Sequence, residues 1–244
     1  VDSKDPYIII NLHIHKNLAT LTIDVSGGPL HKRGYREETV SAPMQETVAA
    51  SIIRLSKWNG KVPLYDPMCG SGTLLSEALM RYSNIPAGVF RTRFGFEALP
   101  DFDGAAWQQV KNASARNIRK LPQGLIAGSD VSAEAVRAAR INLMGLPCGN
   151  NVPIAKVDFR QLPALEKRVI VTNPPYGIRM GSDDNLERFY KALGDFLKQK
   201  CKGTTAFVYF GERQYIKNIG LKTSWKKPIK AGGLDGRLVK YALY

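Results

Sequence analysis

Apolar and polar positions along the first 26 residues form two short runs. Tyr7 to His15 and Leu18 to Ser26 read as strands, with Lys16-Asn17 as the turn between them. The second run alternates and places Leu21, Ile23 and Val25 on one face. Gly27-Gly28-Pro29 then breaks the pattern, and a basic stretch from His31 to Arg36 follows. From Ala42 the period lengthens to that of a helix. Ser41 is its candidate cap, Pro43 falls in its first turn, and Val48, Ile52, Ile53 and Leu55 form its apolar stripe.

Beyond residue 60, strand-like and helical patterns take turns. Strands are expected at 62–66, 124–130, 152–157, 168–172 and 204–210. Helices are expected at about 73–82, 104–120, 133–144 with Ser132 as cap, and 186–200. Residues 84–102 look irregular. The last two strands are placed near 221–225 and 238–243 with only a loop between them, which predicts an antiparallel closing hairpin. Strands separated by helices predict an α/β fold with a mostly parallel, doubly wound sheet. Residues 1–36 separate as a small β appendage with a basic linker, and 37–244 form the main domain.

A chain of 244 residues with 44% hydrophobic content can bury a core without metals or disulfides. Cys69, Cys148 and Cys201 are widely spaced and odd in number, with no CxxC or Cys/His cluster. No metal site is therefore expected, and a reducing, cytoplasmic setting is. No run approaches the roughly 18 apolar residues of a membrane span, and no signal-peptide pattern is present. The chain has no initiator Met, so it is expected to be a piece of a longer protein. Net charge is +14, and 198–240 holds eleven Lys/Arg against two acids. Such an excess fits a polyanionic partner, or simply a solubilising face.

Three segments carry candidate chemistry. Asp66-Pro67-Met68-Cys69-Gly70-Ser71-Gly72-Thr73 falls where the first sheet strand meets its helix, the ligand-binding edge of an open α/β sheet. Its glycines permit a tight turn close to a ligand, and its acid offers a carboxylate to an amino-bearing one. It is neither a dinucleotide fingerprint nor a P-loop, because Thr-Leu-Leu follows the glycines and no Lys does. Asp130 ends the next strand, where an acid accepts from ribose hydroxyls. Asp158, after the third, suits either an adenine amine or a turn cap. Asn173-Pro174-Pro175-Tyr176 follows the fourth strand. Two prolines make a rigid turn. There the Asn173 oxygen and the Pro174 carbonyl can accept both hydrogens of an –NH₂ group. Tyr176 offers a face for stacking a base, worth about 1–3 kcal/mol.

Together, Asp66–Thr73 and Asn173–Tyr176 resemble the amino-methyltransferases of the class I S-adenosylmethionine fold. More narrowly, four segments are similar to the RlmL-type branch of THUMP-associated RNA methyltransferases. They are Leu30–Arg36, Ala42-Pro43-Met44-Gln45-Glu46-Thr47, the Asp66–Thr73 loop, and Asn173-Pro174-Pro175-Tyr176-Gly177. The resemblance implies a Rossmann-like, seven-stranded methyltransferase fold with S-adenosyl-L-methionine as cofactor. It implies transfer to N2 of guanosine in RNA, most often large-subunit rRNA and in relatives tRNA, with residues 1–36 the tail of a THUMP module. It further implies that Asp66, Pro67, Cys69, Gly70, Ser71, Gly72 and Thr73 wrap the cofactor's methionine part, bordered by Pro43, Glu46 and Thr47. Asp130 with Val131, and Asp158 with Phe159, complete the cofactor set.

Alternatives remain at this stage. Glu46 in a first helical turn equally suits the helix dipole. His13, His15 and His31 have no ligand spacing and read as surface or strand residues, while Phe94, Phe96 and Trp107 read as packing. A covalent role for Cys69 is not expected, since the target nitrogen is itself the nucleophile. The Asn-Pro-Pro-Tyr motif alone also admits adenine N6 in DNA or a glutamine amide in protein. A non-catalytic RNA-binding scaffold is the reading of another class.

Overall fold

The computed structural model describes residues 6, 8–40, 43–176, 183–231 and 234–244. Ser41, Ala42 and Gly177, singled out above, lie outside them. The described chain groups into two compact units, Val1–Gly34 with Asn84–Ile118, and Tyr35–Ser83 with Arg119–Tyr244.

The first unit contains an antiparallel hairpin, β1 (Ile9–His15) and β2 (Leu18–Asp24). Lys16 and Asn17 both have positive φ, +46° and +61°, as a two-residue hairpin turn demands. The register pairs Ile10 with Ile23, Leu12 with Leu21 and Ile14 with Ala19 on one face. The opposite face carries Asn11, His13, His15, Thr20 and Thr22. Residues 84–118, expected inside the main domain, group with this hairpin. Phe96 donates its amide to the Val25 carbonyl, and the Arg91 guanidinium donates to the carbonyls of Ser26, Gly28 and Pro29. Phe94, Phe96 and Trp107 pack edge-to-face or stacked at 5.0–5.3 Å. Helix α3 (Gly104–Arg116) is capped by Asp103, which accepts from the amides of Ala105 and Ala106. It ends four residues before the expected Lys120.

The second unit is a seven-stranded α/β sheet, as the patterning predicts. Its strands are β3 (Leu64–Asp66), β4 (Ile126–Asp130), β5 (Ile154–Lys156), β6 (Val169–Thr172), β7 (Thr205–Phe210), β8 (Trp225–Ala231) and β9 (Leu234–Ala242). The order is β5-β4-β3-β6-β7-β9-β8. The first five strands are parallel, and β9 runs antiparallel between β7 and β8. The closing hairpin is thus present, but β8 lies at 225–231 rather than near 221–225. Lys226, Lys227, Pro228 and Lys230 disguise it. As an edge strand it tolerates a proline and outward charges.

Helices α1 (Glu46–Ser56), α2 (Thr73–Ser83), α4 (Ala133–Met144) and α5 (Asp183–Lys200) complete this unit. Helix α1 starts at Glu46, so Pro43 precedes it instead of occupying its first turn. Ser132 caps α4 by accepting from the Ala135 amide, as expected. Helix α5 buries Leu186, Tyr190, Leu193 and Leu197, spaced three and four apart, against Ile170, Ala206, Val208, Phe210 and Val239. The alternate residues Val171, Phe207, Tyr209 and Leu238 are buried as well, so both faces of the sheet are covered. Among the described residues no helix is long and apolar enough to cross a membrane.

One glycine tests this packing. A β-carbon on Gly194 of α5 would come within 1.9 Å of the Ile219 carbonyl oxygen. Propensity alone would make Gly194→Ala stabilising by about 1 kcal/mol. Steric exclusion reverses the sign, and the variant should lose about 2 kcal/mol or more. Thermal unfolding checks this; an unchanged or raised midpoint would refute the close seating of α5.

Candidate active site

The chain runs out from β3 to β4 and β5 on one side, then crosses back to β6 on the other. A crevice therefore opens at the carboxyl ends of β3 and β6, where open α/β sheets bind ligands. It holds a cavity of about 520 Å³. Its wall includes Pro43, Asp66, Pro67, Cys69, Gly70, Ser71, Thr73, Asp130, Val131, Asp158, Phe159, Asn173 and Pro175, all expected from the sequence. Glu46, Thr47, Gly72, Pro174 and Tyr176 do not line it.

Asp66 ends β3 fully buried. Its Oδ1 accepts from the Thr172 hydroxyl at 2.7 Å and from the Met68 amide at 3.1 Å. Burial pushes the carboxyl up to about 7; those bonds oppose the rise and the nearby Asp130 charge adds to it. Asp130 ends β4, accepting from the Gly70 amide at 2.9 Å through Oδ2 and from the Ser132 amide at 3.0 Å through Oδ1. Each oxygen keeps a further lone pair for a ligand. The loop between the two acids turns through positive φ at Gly70 and Gly72. At Gly72, with φ +83°, a β-carbon would also stand 3.2 Å from that of Ala139 on α4. Cys69 is buried in the loop, and burial pushes its thiol well above the ordinary range, so it stays protonated.

A residue that periodicity does not mark holds this loop from behind. Asn142 on α4 is buried, and its Nδ2 donates to the carbonyls of Ser71 and Glu38 at 3.0 and 2.9 Å. Its Oδ1 accepts from the amides of Glu37 and Glu38. Arg36, expected in the basic linker, belongs to the same support. Its guanidinium pairs with Glu46 at 3.1 Å and donates to the Met44 carbonyl and the Thr73 hydroxyl. Glu46 is therefore a structural partner of Arg36 in this geometry, which accounts for its absence from the cavity wall.

Asp158 caps the 3-10 turn Phe159–Gln161. It accepts from the Arg160 backbone amide at 2.9 Å and from the Arg160 guanidinium at 2.9 and 2.8 Å. Partial burial raises its pKa, but the bonds from Arg160 outweigh that and hold the carboxyl below its ordinary value. Phe159 meets Phe189 of α5 edge-to-face at 5.5 Å, and Phe189 lines the cavity too. Val131 is an exposed apolar side chain in the same wall.

Across the crevice, Asn173 follows directly on Thr172. Its Oδ1 is buried without a hydrogen-bond partner among the described residues. A buried acceptor left unpaired costs about 1–3 kcal/mol, so a ligand donor placed here would be favoured. The turn behind it is anchored by Tyr190, whose hydroxyl donates to the Pro175 carbonyl at 3.1 Å. That ring is stacked on Phe210 and Tyr215. Burial pushes the Tyr190 phenol far above its usual value, which keeps it a donor. The Tyr176 ring packs over the backbone of Gly211, just beyond β7.

Carboxylates on one side of a cavity and an unpaired amide oxygen on the other can hold a cationic ligand and an amine facing it. Comparison with known proteins gives this arrangement a lineage. The profile of the RMKL-like methyltransferase domain family matches residues 33–240. The chain belongs to this family. A Synechocystis protein assigned as an RNA methyltransferase is 40% identical over 245 residues, covering 100% of this chain and 64% of its own. The ribosomal RNA large subunit methyltransferase K/L of Vibrio campbellii is 34% identical over 249 residues, covering 100% of this chain and 35% of its own. The crystal structure of SMU.472, assigned as a methyltransferase and complexed with SAH, superposes with a TM-score of 0.88 at 30% identity. That match covers 96% of this chain and 61% of the other. The chain thus spans about a third to under two-thirds of these relatives. Among the described residues no group of three or more His, Cys, Asp or Glu is placed to hold a metal.

For this family member the buried carboxylate has a measurable signature. With a folded pKa near 7 against an ordinary 3.8, Asp66 keeps a proton that the unfolded chain gives up between those values. Its contribution to stability therefore falls as pH rises from about 4 to 7 and is lowest above 7. Both protein bonds reach Oδ1, so Asp66→Asn can retain them. The variant should gain a few kcal/mol on the wild type between pH 4 and pH 8, as read from denaturation midpoints. Parallel pH profiles for the two proteins would contradict the buried charge.

Proposed function

We propose that this chain is the catalytic domain of an S-adenosyl-L-methionine-dependent RNA methyltransferase acting on N2 of guanosine, with large-subunit rRNA as substrate. The observation that carries the reading is the buried, unpartnered Asn173 oxygen at the rim of a carboxylate-lined cavity. The cavity residues fit the cofactor. Asp66 and the 66–73 loop suit its amino-acid part, Asp130 has lone pairs for ribose hydroxyls, and Val131, Phe159 and the Asp158–Arg160 pair suit its base. When bound, S-adenosylmethionine supplies an electrophilic methyl group.

Asn173 and the turn prolines have the remaining work. The Asn173 oxygen accepts one hydrogen of the target –NH₂, and a turn carbonyl accepts the other. Of the two proline carbonyls, that of Pro175 accepts from Tyr190, and among the described residues Pro174 is the one offered to the substrate. Holding both hydrogens aims the nitrogen lone pair along one direction, so the acceleration comes from orientation. The Tyr176 ring is the stacking surface for a base turned out of its helix.

Residues 1–36 we read as the end of a THUMP module. The face of β1–β2 formed by Ile10, Leu12, Ile14, Leu21 and Ile23 is 51–72% exposed, which suits packing against a further layer. A cytoplasmic site of action follows from the substrate.

The test is transfer of tritiated methyl to unmodified rRNA, tRNA, duplex DNA and a protein extract, followed by nucleoside analysis. It uses this chain and, in parallel, the full-length gene product. Label should appear as N2-methylguanosine in rRNA. Asn173→Ala should lower transfer by about 100-fold or more while cofactor still binds. Label in adenine or in protein would overturn the substrate, and absence of cofactor binding would overturn the enzyme.

A further inference from the structure

Five cations line one trough at the far side of the sheet from β5. Arg213 and Lys217 come from the turn after β7, Lys222 from the loop that follows, Lys226 from β8 and Arg237 from β9. The trough has a volume of about 670 Å³, and no acidic residue lines it. Asp235 pairs with Arg237 at 2.6 Å and with Arg213 at 3.7 Å, without lining the trough itself. Lys217, Lys222 and Lys226 are exposed, and their ammonium groups make no ion pair or hydrogen bond among the described residues. A second hollow of about 530 Å³ shares Leu221, Lys222 and Thr223 with it and adds Lys198. Like charges gathered this way repel one another, and a polyanion in the groove removes that penalty.

The trough also begins in the right place. Arg237 pairs across the sheet with Phe210 and with Pro228. The residue after Phe210 is Gly211, over which the Tyr176 ring packs. From there the cations run along the edge strand toward Lys226, whose partner is Val239, and Lys222 beyond it. A concave path of cations, with no acid among its lining residues, leading away from the stacking tyrosine fits one nucleic-acid strand better than a flat membrane surface. We infer that this trough, Arg213–Lys217–Lys222–Lys226–Arg237, carries the phosphate backbone of the substrate RNA beside the target nucleotide. The inference rests on the RNA reading above and deepens it.

The test is the triple charge reversal Lys217→Glu, Lys222→Glu, Lys226→Glu, with the neutral triple change to Gln as a milder second variant. Affinity for a fluorescein-labelled rRNA fragment is read by anisotropy across a KCl series, beside cofactor affinity and steady-state methyl transfer. At about 0.1 M salt the reversal should weaken RNA binding roughly 10- to 100-fold. Both variants should flatten the slope of log K against log salt by about 2–3, at roughly 0.7–0.9 per lost phosphate contact. Cofactor affinity should hold, and the loss should fall on KM for RNA with kcat retained. Unchanged RNA affinity and slope, a loss confined to kcat, or equally tight and equally sensitive binding of duplex DNA would each overturn the trough as an RNA path. If the wild-type protein itself transfers no methyl to RNA, the substrate reading beneath it falls instead.

Discussion

The hydrogen bond from Thr172 to Asp66 is the constraint on which the rest of the site depends. It spans β3 and β6, the two strands between which the chain reverses direction across the sheet. The residues just beyond its two ends, Pro67 and Asn173, open the Gly-rich loop and the Asn-Pro-Pro-Tyr turn. A carboxylate buried this deeply is expensive, and its raised pKa measures the cost. The expense secures a fixed distance between a loop suited to the cofactor and an acceptor suited to an amine. Transfer between two bound groups needs that distance fixed to within a fraction of an ångström.

Around this strut the supports are layered. Asn142 and Arg36 brace the loop from the outside, so neither spends its side chain on the cavity. Tyr190 braces the turn through the Pro175 carbonyl. Asn173 Oδ1, at the cavity wall, is left without a partner among the described residues, and an unsatisfied buried acceptor there is suited to a ligand's donor. The basic edge of the sheet stands apart from this machinery.

Legibility in the sequence followed the range of the interaction. The Lys16-Asn17 turn, the Ser132 cap and the Asp66–Thr73 loop were readable because each depends on neighbours a few residues away. Asp130 and Asn173 were readable because strand ends at a crevice are where chemistry collects in this fold. Asn142 was not, because its four bonds reach residues 71 to 105 positions distant. Arg36 looked like linker charge and proved structural, since the pairing with Glu46 and Thr73 exists only in three dimensions. Strand β8 was misplaced because an exposed edge does not need the apolar alternation that marks an inner strand. Phe189 gave no signal at all, being one apolar position among several on a long amphipathic helix.

The most direct test of this account is Thr172→Val, a change of nearly equal shape that deletes the strut's donor. Affinity for S-adenosylmethionine and transfer rate at saturating cofactor are measured on the same preparation. If the strut couples the two halves, both should fall, each by roughly tenfold, about the net worth of one hydrogen bond. A variant that binds cofactor less tightly yet transfers at the full rate once saturated would show that loop and turn are set independently, and would contradict the central claim.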